Sequence, residues 1–397
     1  MTTRPIVLVE FSPSGGLFQF AVQLGDAMSE AGRPVVLITG PRPELAPSRG
    51  LTIRPLLPTW HPADDTVRPA WFSAARRVLR AGQLVLAWSV LAVALVRIRP
   101  GAVLWSHWRF SFEPMFVVMI TKIVRNAVFG IVAHEPLPRS DAKDTSTPKS
   151  GILVDNAFSA AWRQMDVAFV LGPRTRDLVL EHFDPAGPVV VIPHGDERAL
   201  RTSHVLAPVS ESGQVALFFG TWTAYKGIDV LLDAFAIVRA DLPDARLVLA
   251  GAVGADIDLD SLLRRADEIG NISTHAGYIA VEEVPAIVES ARVVITPYIR
   301  ASQSGVAHLA YTFGRPVIAT TVGDLPEVVR DGVTGLLVPP GDAVALAGAM
   351  IALLTDPVRS RELGDAGLQR LSQAWDVAAG TVIESLDEAM VRTGRGK

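Results

Sequence analysis

Short β-branched apolar runs alternate with longer amphipathic segments, and the whole pattern occurs twice along the chain. "IVLVEF" (6–11), "PVVLITG" (34–40), "AVLWSHW", "NAVFGIVAHEP", "VAFVLG" and "PVVVIPHG" (188–195) each read as a buried strand bounded by turn residues. The series restarts with "QVALFFG" (214–220) and continues through "ARLVLAG", "ISTHAGY", "RVVITPY", "RPVIATT" and "TGLLVPP". Strands separated by helical segments of this length predict parallel sheets joined by right-handed crossovers. The expectation is α/β, two doubly wound Rossmann-like domains facing across a cleft. An N-terminal domain spans 1–200, a polar linker 201–213 and a C-terminal domain 214–375, and a last helix over 376–397 packs back on the first domain. Ligands of such sheets bind beyond the carboxyl ends of the strands.

Composition narrows the function. In 397 residues, 37 Lys and Arg set against 41 Asp and Glu give a net charge of −4, which offers no general attraction for nucleic acid. The chain has no cysteine, which excludes disulfides, thiolate nucleophiles and cysteine metal sites, and suits a cytoplasmic setting. "MTTRPIVLVEFSPSGG" turns polar after a short apolar run and does not read as a signal peptide. No His, Asp or Glu grouping has metal-ligand spacing, and no Gly-x-Ser-x-Gly elbow points to a hydrolase.

Three strand ends carry the chemistry. "SPSGG" (12–16) closes the first strand, where Gly15 and Gly16 let another group approach the backbone at a helix N-terminus; the competing reading is a tight turn. "FFGTWTAYKGIDVLLDAF" (218–235) places Lys226 just before a helix, where an ammonium is disfavoured unless an anion offsets it. "RASQSGVAHLAYTFG" (300–314) joins strand to helix through small and polar residues with no carboxylate. Neither domain has the full dinucleotide fingerprint.

The segment from "YKGIDVLLDAF" through "GRPVIATTVGDLPEVV" and "DGVTGLLVPPGD" resembles the C-terminal domain of family 4 glycosyltransferases, which have the GT-B fold. The likeness is strong over about 214–395 and looser over 1–200, through "PSGG", "VAHEP" and "VIPHG". It implies a nucleoside-diphosphate sugar held by the second domain and an acceptor held by the first, with no cofactor. By the same resemblance Lys226 contacts the donor diphosphate, Gly16 approaches it, and backbone N–H groups at Ser304, Gly305 and Val306 bind phosphate. Tyr278 and Ile279 line the base pocket, Glu327 matches a glutamate of the loop after "VG", and His134 lies near a histidine that reaches the sugar. His134 and Glu135 are the candidates for a base if the reaction inverts. The family's paired glutamates, one near the sugar and one on the ribose, are replaced by Ala301 and Leu309, and Thr221 stands where a basic residue is common. Ser302, Gln303 and Ser304 are available as neutral donors instead. This "SQSGV" form resembles a subgroup of polysaccharide and lipopolysaccharide glycosyltransferases.

Residues 66–112 hold Arg68, Arg76, Arg77, Arg80, Arg97, Arg99 and Arg109 with no Asp, Glu or Lys, interleaved with Trp71, Trp88, Trp105 and Trp108. A helix packed on the first sheet and a helix lying on an anionic membrane surface, anchored by arginines and aromatics, both fit this pattern. Elsewhere, His194 reads as a turn residue, His275 as a core histidine of an apolar strand, and His308 as a helix residue beside the donor. Taken together, the sequence predicts a metal-independent hexosyltransferase acting on a saccharide or lipid-linked saccharide. A non-catalytic nucleotide-sugar-binding subunit and a GT-B epimerase or phosphorylase are the alternatives.

Overall fold

The computed structural model describes residues 4–47, 50–61, 70–106, 108, 112–134, 136, 152–201, 206–301 and 304–396. The described chain divides into two compact units. One gathers residues from 1–138, 149–193 and 375–397, and the other residues from 194–374. The division falls at 193/194, ahead of the expected linker.

The first unit runs β1 (Ile6–Val9), α1 (Gly16–Glu30), β2 (Val35–Ile38), β3 (Leu51–Arg54), α2 (Ala70–Ile98), β4 (Ala102–Trp105) and α3 (Glu113–Ile123). It continues with β5 (Val128–Ala133), α4 (Ile152–Trp162), β6 (Val167–Val170), α5 (Pro173–His182) and β7 (Val189–Val191). Its seven strands are ordered β3-β2-β1-β4-β5-β6-β7. Every described pairing in it is parallel.

The second unit runs β8 (Val215–Phe219), α6 (Ile228–Asp241), β9 (Arg246–Gly251), α7 (Leu259–Ile269), β10 (Ile272–Ala276), α8 (Val284–Glu289) and β11 (Val293–Thr296). It continues with α9 (Gly305–Thr312), β12 (Val317–Thr320), α10 (Leu325–Val328), β13 (Gly335–Val338), α11 (Ala343–Thr355) and α12 (Pro357–Leu371). Its sheet, ordered β10-β9-β8-β11-β12-β13, is parallel as well. Strand order reverses at β1/β4 in one sheet and at β8/β11 in the other, and these reversals are where such sheets open a crevice for ligands.

The last helix, α13 (Ala374–Thr393), belongs to the first unit. Trp375, Ala378, Ala379, Val382, Leu386 and Ala389 are buried on it, and the Trp375 ring meets Phe20 edge-on at 5.1 Å. Arg33 pairs with Asp387 and Arg395 with Asp166, while Gly396 N–H donates to Asn126 O at 2.7 Å.

The tryptophan reading of 66–112 is corrected by the packing. Trp88, Trp105 and Trp108 lie in the hydrophobic core of the first unit, with Trp88 stacked on Phe116 at 5.4 Å. They are core residues, not membrane anchors. Arg80 lies over the Trp60 ring at 4.5 Å. Of the other arginines, Arg68 and Arg109 lie outside the described residues, as do the side chains of Arg76, Arg77 and Trp71. β3 was not expected from the sequence: its four residues alternate in burial at the sheet edge. His275 is exposed on the edge strand β10, not satisfied in the core, because only one neighbour, β9, pairs with that strand.

Candidate functional site

The switch point of the second sheet gathers the donor-site candidates. β8 ends at Phe219, and Gly220 follows with φ of 105°, open to few residues other than glycine. A single 3-10 turn at Ala224–Lys226 then leads to Gly227, whose φ is 69° and whose added Cβ would meet Pro297 O at 2.0 Å. Ile299 N–H donates to Tyr225 O at 2.8 Å. These two contacts pin the Lys226 turn against the segment after β11. As a result the Lys226 ammonium lies 5.6 Å from the centre of the Tyr298 ring, and 3.1 Å from where a Cβ on Gly220 would stand, with Val306 beside it.

The segment after β11 is built from within. Tyr298 is buried, its carbonyl accepts from Thr320 Oγ1 at 2.6 Å, and its hydroxyl lies 3.1 Å from Ser304 Oγ. The Ser304 side chain therefore bonds the tyrosine and does not cap α9, so the first N–H groups of that helix receive no bond from their own N-cap side chain. Gly305 is exposed, its φ is not positive, and an added Cβ would meet nothing within 4 Å. Folding does not demand glycine there, whereas close approach of a ligand to the backbone would. Ser302 and Gln303 lie outside the described residues.

Behind α9, His308 is buried and its Nδ1 lies 3.2 Å from Ser304 O. A carbonyl only accepts, so Nδ1 carries the proton. His308 stacks on His194 at 4.1 Å, and His194 Nδ1–H donates in turn to Gly195 O at 2.8 Å. Burial lowers the His194 pKa to about 4, against the opposing Gly195 bond. Burial, reinforced by His194, lowers that of His308 well below the usual range. Both rings are therefore neutral supports of the α9 start, and His308 holds the backbone there from beneath. Thr312 Oγ1 donates to His308 O and accepts from Glu197 N–H, each at 2.7 Å.

The remaining candidates are more scattered. Thr221 is exposed just after Gly220, and Tyr278 and Ile279 follow β10 with the tyrosine exposed. Glu327 is exposed on the four-residue α10. Ala301 is half-buried and Leu309 is buried in the core.

In the first unit, Gly15 has φ of 82° and Gly16 an open approach, as a glycine turn at a helix start requires. The Gly15 N–H, however, is engaged: it donates to Glu44 Oε2 at 2.7 Å, so the chain's own carboxylate lies at the N-terminus of α1. His134 follows β5 with its ring edge-on to Phe20 at 4.6 Å, and Glu135 lies outside the described residues. The sequence reading missed Glu10 and Ser106 at the β1/β4 switch point. Glu10 is buried, accepts from Ser12 N–H at 2.8 Å and is bonded by the Ser106 hydroxyl. The available signal was an acidic residue closing an otherwise apolar strand. Tyr298 was missed because nothing local separates it from a core tyrosine. Among the described residues no group of three or more His, Asp or Glu could hold a metal ion.

Residues 213–356 match the family model of group 1 glycosyl transferases. The chain is similar to the D-inositol 3-phosphate glycosyltransferase of Corynebacterium aurimucosum, at 33% identity over 250 residues, 59% of this chain and 57% of that protein. It is 31% identical over 201 residues to the phosphatidyl-myo-inositol mannosyltransferase of Mycobacterium leprae, covering 49% of this chain and 52% of the relative. The match thus spans about half the length of these relatives. Among solved structures, a sucrose-phosphate synthase of Thermosynechococcus elongatus superposes with a TM-score of 0.72 at 22% identity, covering 98% of this chain and all of that one. Anabaena HepE in complex with UDP and glucose gives a TM-score of 0.68 at 15% identity, covering 97% and 99%. At these identities the likeness establishes the fold, two Rossmann-like domains of GT-B type.

Proposed function

We propose that this chain, whose residues 213–356 form a group 1 glycosyltransferase domain, transfers a hexose from a nucleoside-diphosphate sugar to a saccharide or lipid-linked saccharide. The observation that carries the reading is the β8/β11 switch point, where the Lys226 ammonium lies beside the N-terminus of α9, which its own N-cap residue Ser304 leaves uncapped. A cation and a row of aimed N–H groups are what a departing diphosphate requires, since they oppose its developing charge without moving. These donors belong to the protein, which supports a metal-independent mechanism. The solved neighbour with UDP and glucose supports a nucleotide sugar, and the mannosyltransferase of M. leprae supports a hexose. Tyr278 and Ile279 line the base pocket in this reading, and Thr221 and Glu327 complete the donor contacts of the second unit. His134 and Glu135 serve the acceptor. The protein works against an anionic membrane surface on the cytoplasmic side, where a lipid-linked acceptor is displayed.

The absence of a carboxylate at Ala301 and Leu309 favours a second reading, a subunit that binds the nucleotide sugar without turnover. One experiment separates the two. UDP-, GDP- and ADP-sugars are screened by thermal shift, and the stabilising donor is incubated with the protein. Slow release of nucleoside diphosphate is expected; stabilisation with no release in any acceptor pool would establish the binding subunit, and no stabilisation by any donor would remove both readings.

A further inference from the structure

Helix α2 is apolar on both sides. Leu84, Trp88, Leu91 and Leu95 face the core, and Trp88 stacks on Phe116 of α3. On the opposite stripe, at helical spacing, Leu79, Leu86, Val93 and Val96 are exposed, Leu79 by 64%. The neighbouring α3 repeats the arrangement: Met115, Met119 and Ile123 are exposed, Met115 by 59%. Amphipathic helices of a water-soluble fold place polar groups on the outer stripe, and these two helices do not. Residues 79–98 are long and apolar enough to cross a bilayer, yet only a third of the segment is buried in the protein. It cannot cross one while folded, because its inner stripe is built into the core of the first unit.

The charge around the face selects the occupant. No Asp or Glu occurs between residues 66 and 112, and the carboxylate of Glu113 is buried. Arg97, Arg99, Lys122 and Arg125 are exposed at the ends of the same two helices. Exposed aliphatic and methionine side chains with cations, and no exposed anion on α2 or α3 among the described residues, match the boundary between acyl chains and anionic headgroups. A second copy of this chain would bring the same cations against themselves.

We propose that the outer stripes of α2 and α3 insert into the acyl region of an anionic leaflet, with the helices lying in the plane of the membrane. This deepens the membrane-surface part of the proposed function and rests on it. It also replaces electrostatic adsorption by arginines and tryptophans with apolar insertion, and the two differ in their response to salt. Charge contacts are screened at high ionic strength, and buried apolar area is not.

The test is flotation of the full chain with vesicles of phosphatidylcholine and phosphatidylglycerol in equal parts. The protein should float, and a large share should remain bound at about 1 M salt, where the Debye length is only ~3 Å. The triple substitution Leu86→Gln, Val93→Gln, Met119→Gln should lower binding about tenfold or more, since each removes exposed apolar surface and leaves the core intact. Replacing Arg97, Lys122 and Arg125 by Gln should weaken binding at low salt only. Complete release by salt with the apolar triple variant unaffected would overturn insertion. So would a protein that stays in solution, whether as a monomer or as a dimer abolished by the triple substitution. Release of nucleoside diphosphate from the donor is measured in parallel without vesicles. Turnover without flotation sinks the membrane face alone, and flotation without turnover sinks the transferase reading alone.

Discussion

Lys226 and Gly305 can be told apart from structural residues by what the fold does not ask of them. The Lys226 ammonium lies 5.6 Å from the centre of the Tyr298 ring, and removing one charge-assisted contact costs about 1.5–3 kcal/mol. Lys226→Ala should therefore weaken donor binding roughly tenfold to a hundredfold with the unfolding midpoint unchanged; equal donor affinity by titration calorimetry would take the lysine out of the site. Gly305→Val has open space around it, so the variant should fold normally and lose the donor-induced thermal shift. Ser304→Ala should keep the shift, because the backbone donors remain, and should lose only the bond to Tyr298. The opposite order would show that the hydroxyl, not the helix start, holds the donor. His194 adds a pH dependence. Its folded pKa, lowered from 6.5 to about 4 by burial, means that the unfolded chain binds the extra proton between those values. Stability from this residue is complete above 6.5 and falls as pH drops toward 4, by about 3 kcal/mol. His194→Gln should flatten that part of the urea-midpoint profile; identical slopes would mean that other groups dominate acid unfolding. None of this support was legible in the sequence. His194 and His308 lie far apart in the chain, and only the fold stacks them.

The strands were legible, because burial on both faces requires a continuous β-branched run and little else produces one. β3 escaped because an edge strand with one neighbour needs little burial: Leu51 is buried and Ile53 half-buried, and its other side chains are Thr52 and Arg54. Helix surfaces were less legible. The buried Trp88 and the exposed Val93 and Val96 all lie in one uniformly apolar stretch, so hydropathy could not say which stripe faces the core. Helix packing gives a paired prediction in the second unit. Gly364 on α12 touches the turn after α9, where an added Cβ would lie 1.9 Å from Gly314 O. Gly364→Ala must push the two apart and should cost about 1–3 kcal/mol. Gly348 on α11 has nothing within 4 Å, so Gly348→Ala should stabilise by roughly 0.5–1 kcal/mol through backbone entropy alone. Chemical denaturation reads both, and a common sign for the two would refute the packing argument.

At the scale of the molecule, the chain leaves the first unit at 193 and returns to it at 375. Among the described residues the second unit is a single stretch, 194–374, whereas the first is completed by α13 from the far end of the sequence. The dependence is large. Trp375, Val382 and Leu386 are buried on the first unit, and Arg395 pairs with Asp166. The Asp166 carboxylate is itself nearly buried and also accepts from Phe129 N–H at 2.9 Å. Removing Arg395 leaves that carboxylate less compensated, and removing α13 exposes an apolar seam beside Phe20. Residues 194–374 expressed alone should therefore unfold in a single cooperative transition and keep the donor-induced thermal shift. Residues 1–193 alone should be unfolded or aggregate, and joining 375–397 to them through a flexible linker should restore a cooperative transition. If 1–193 folds equally well without the C-terminal segment, α13 is an ornament on the first unit and not part of its core.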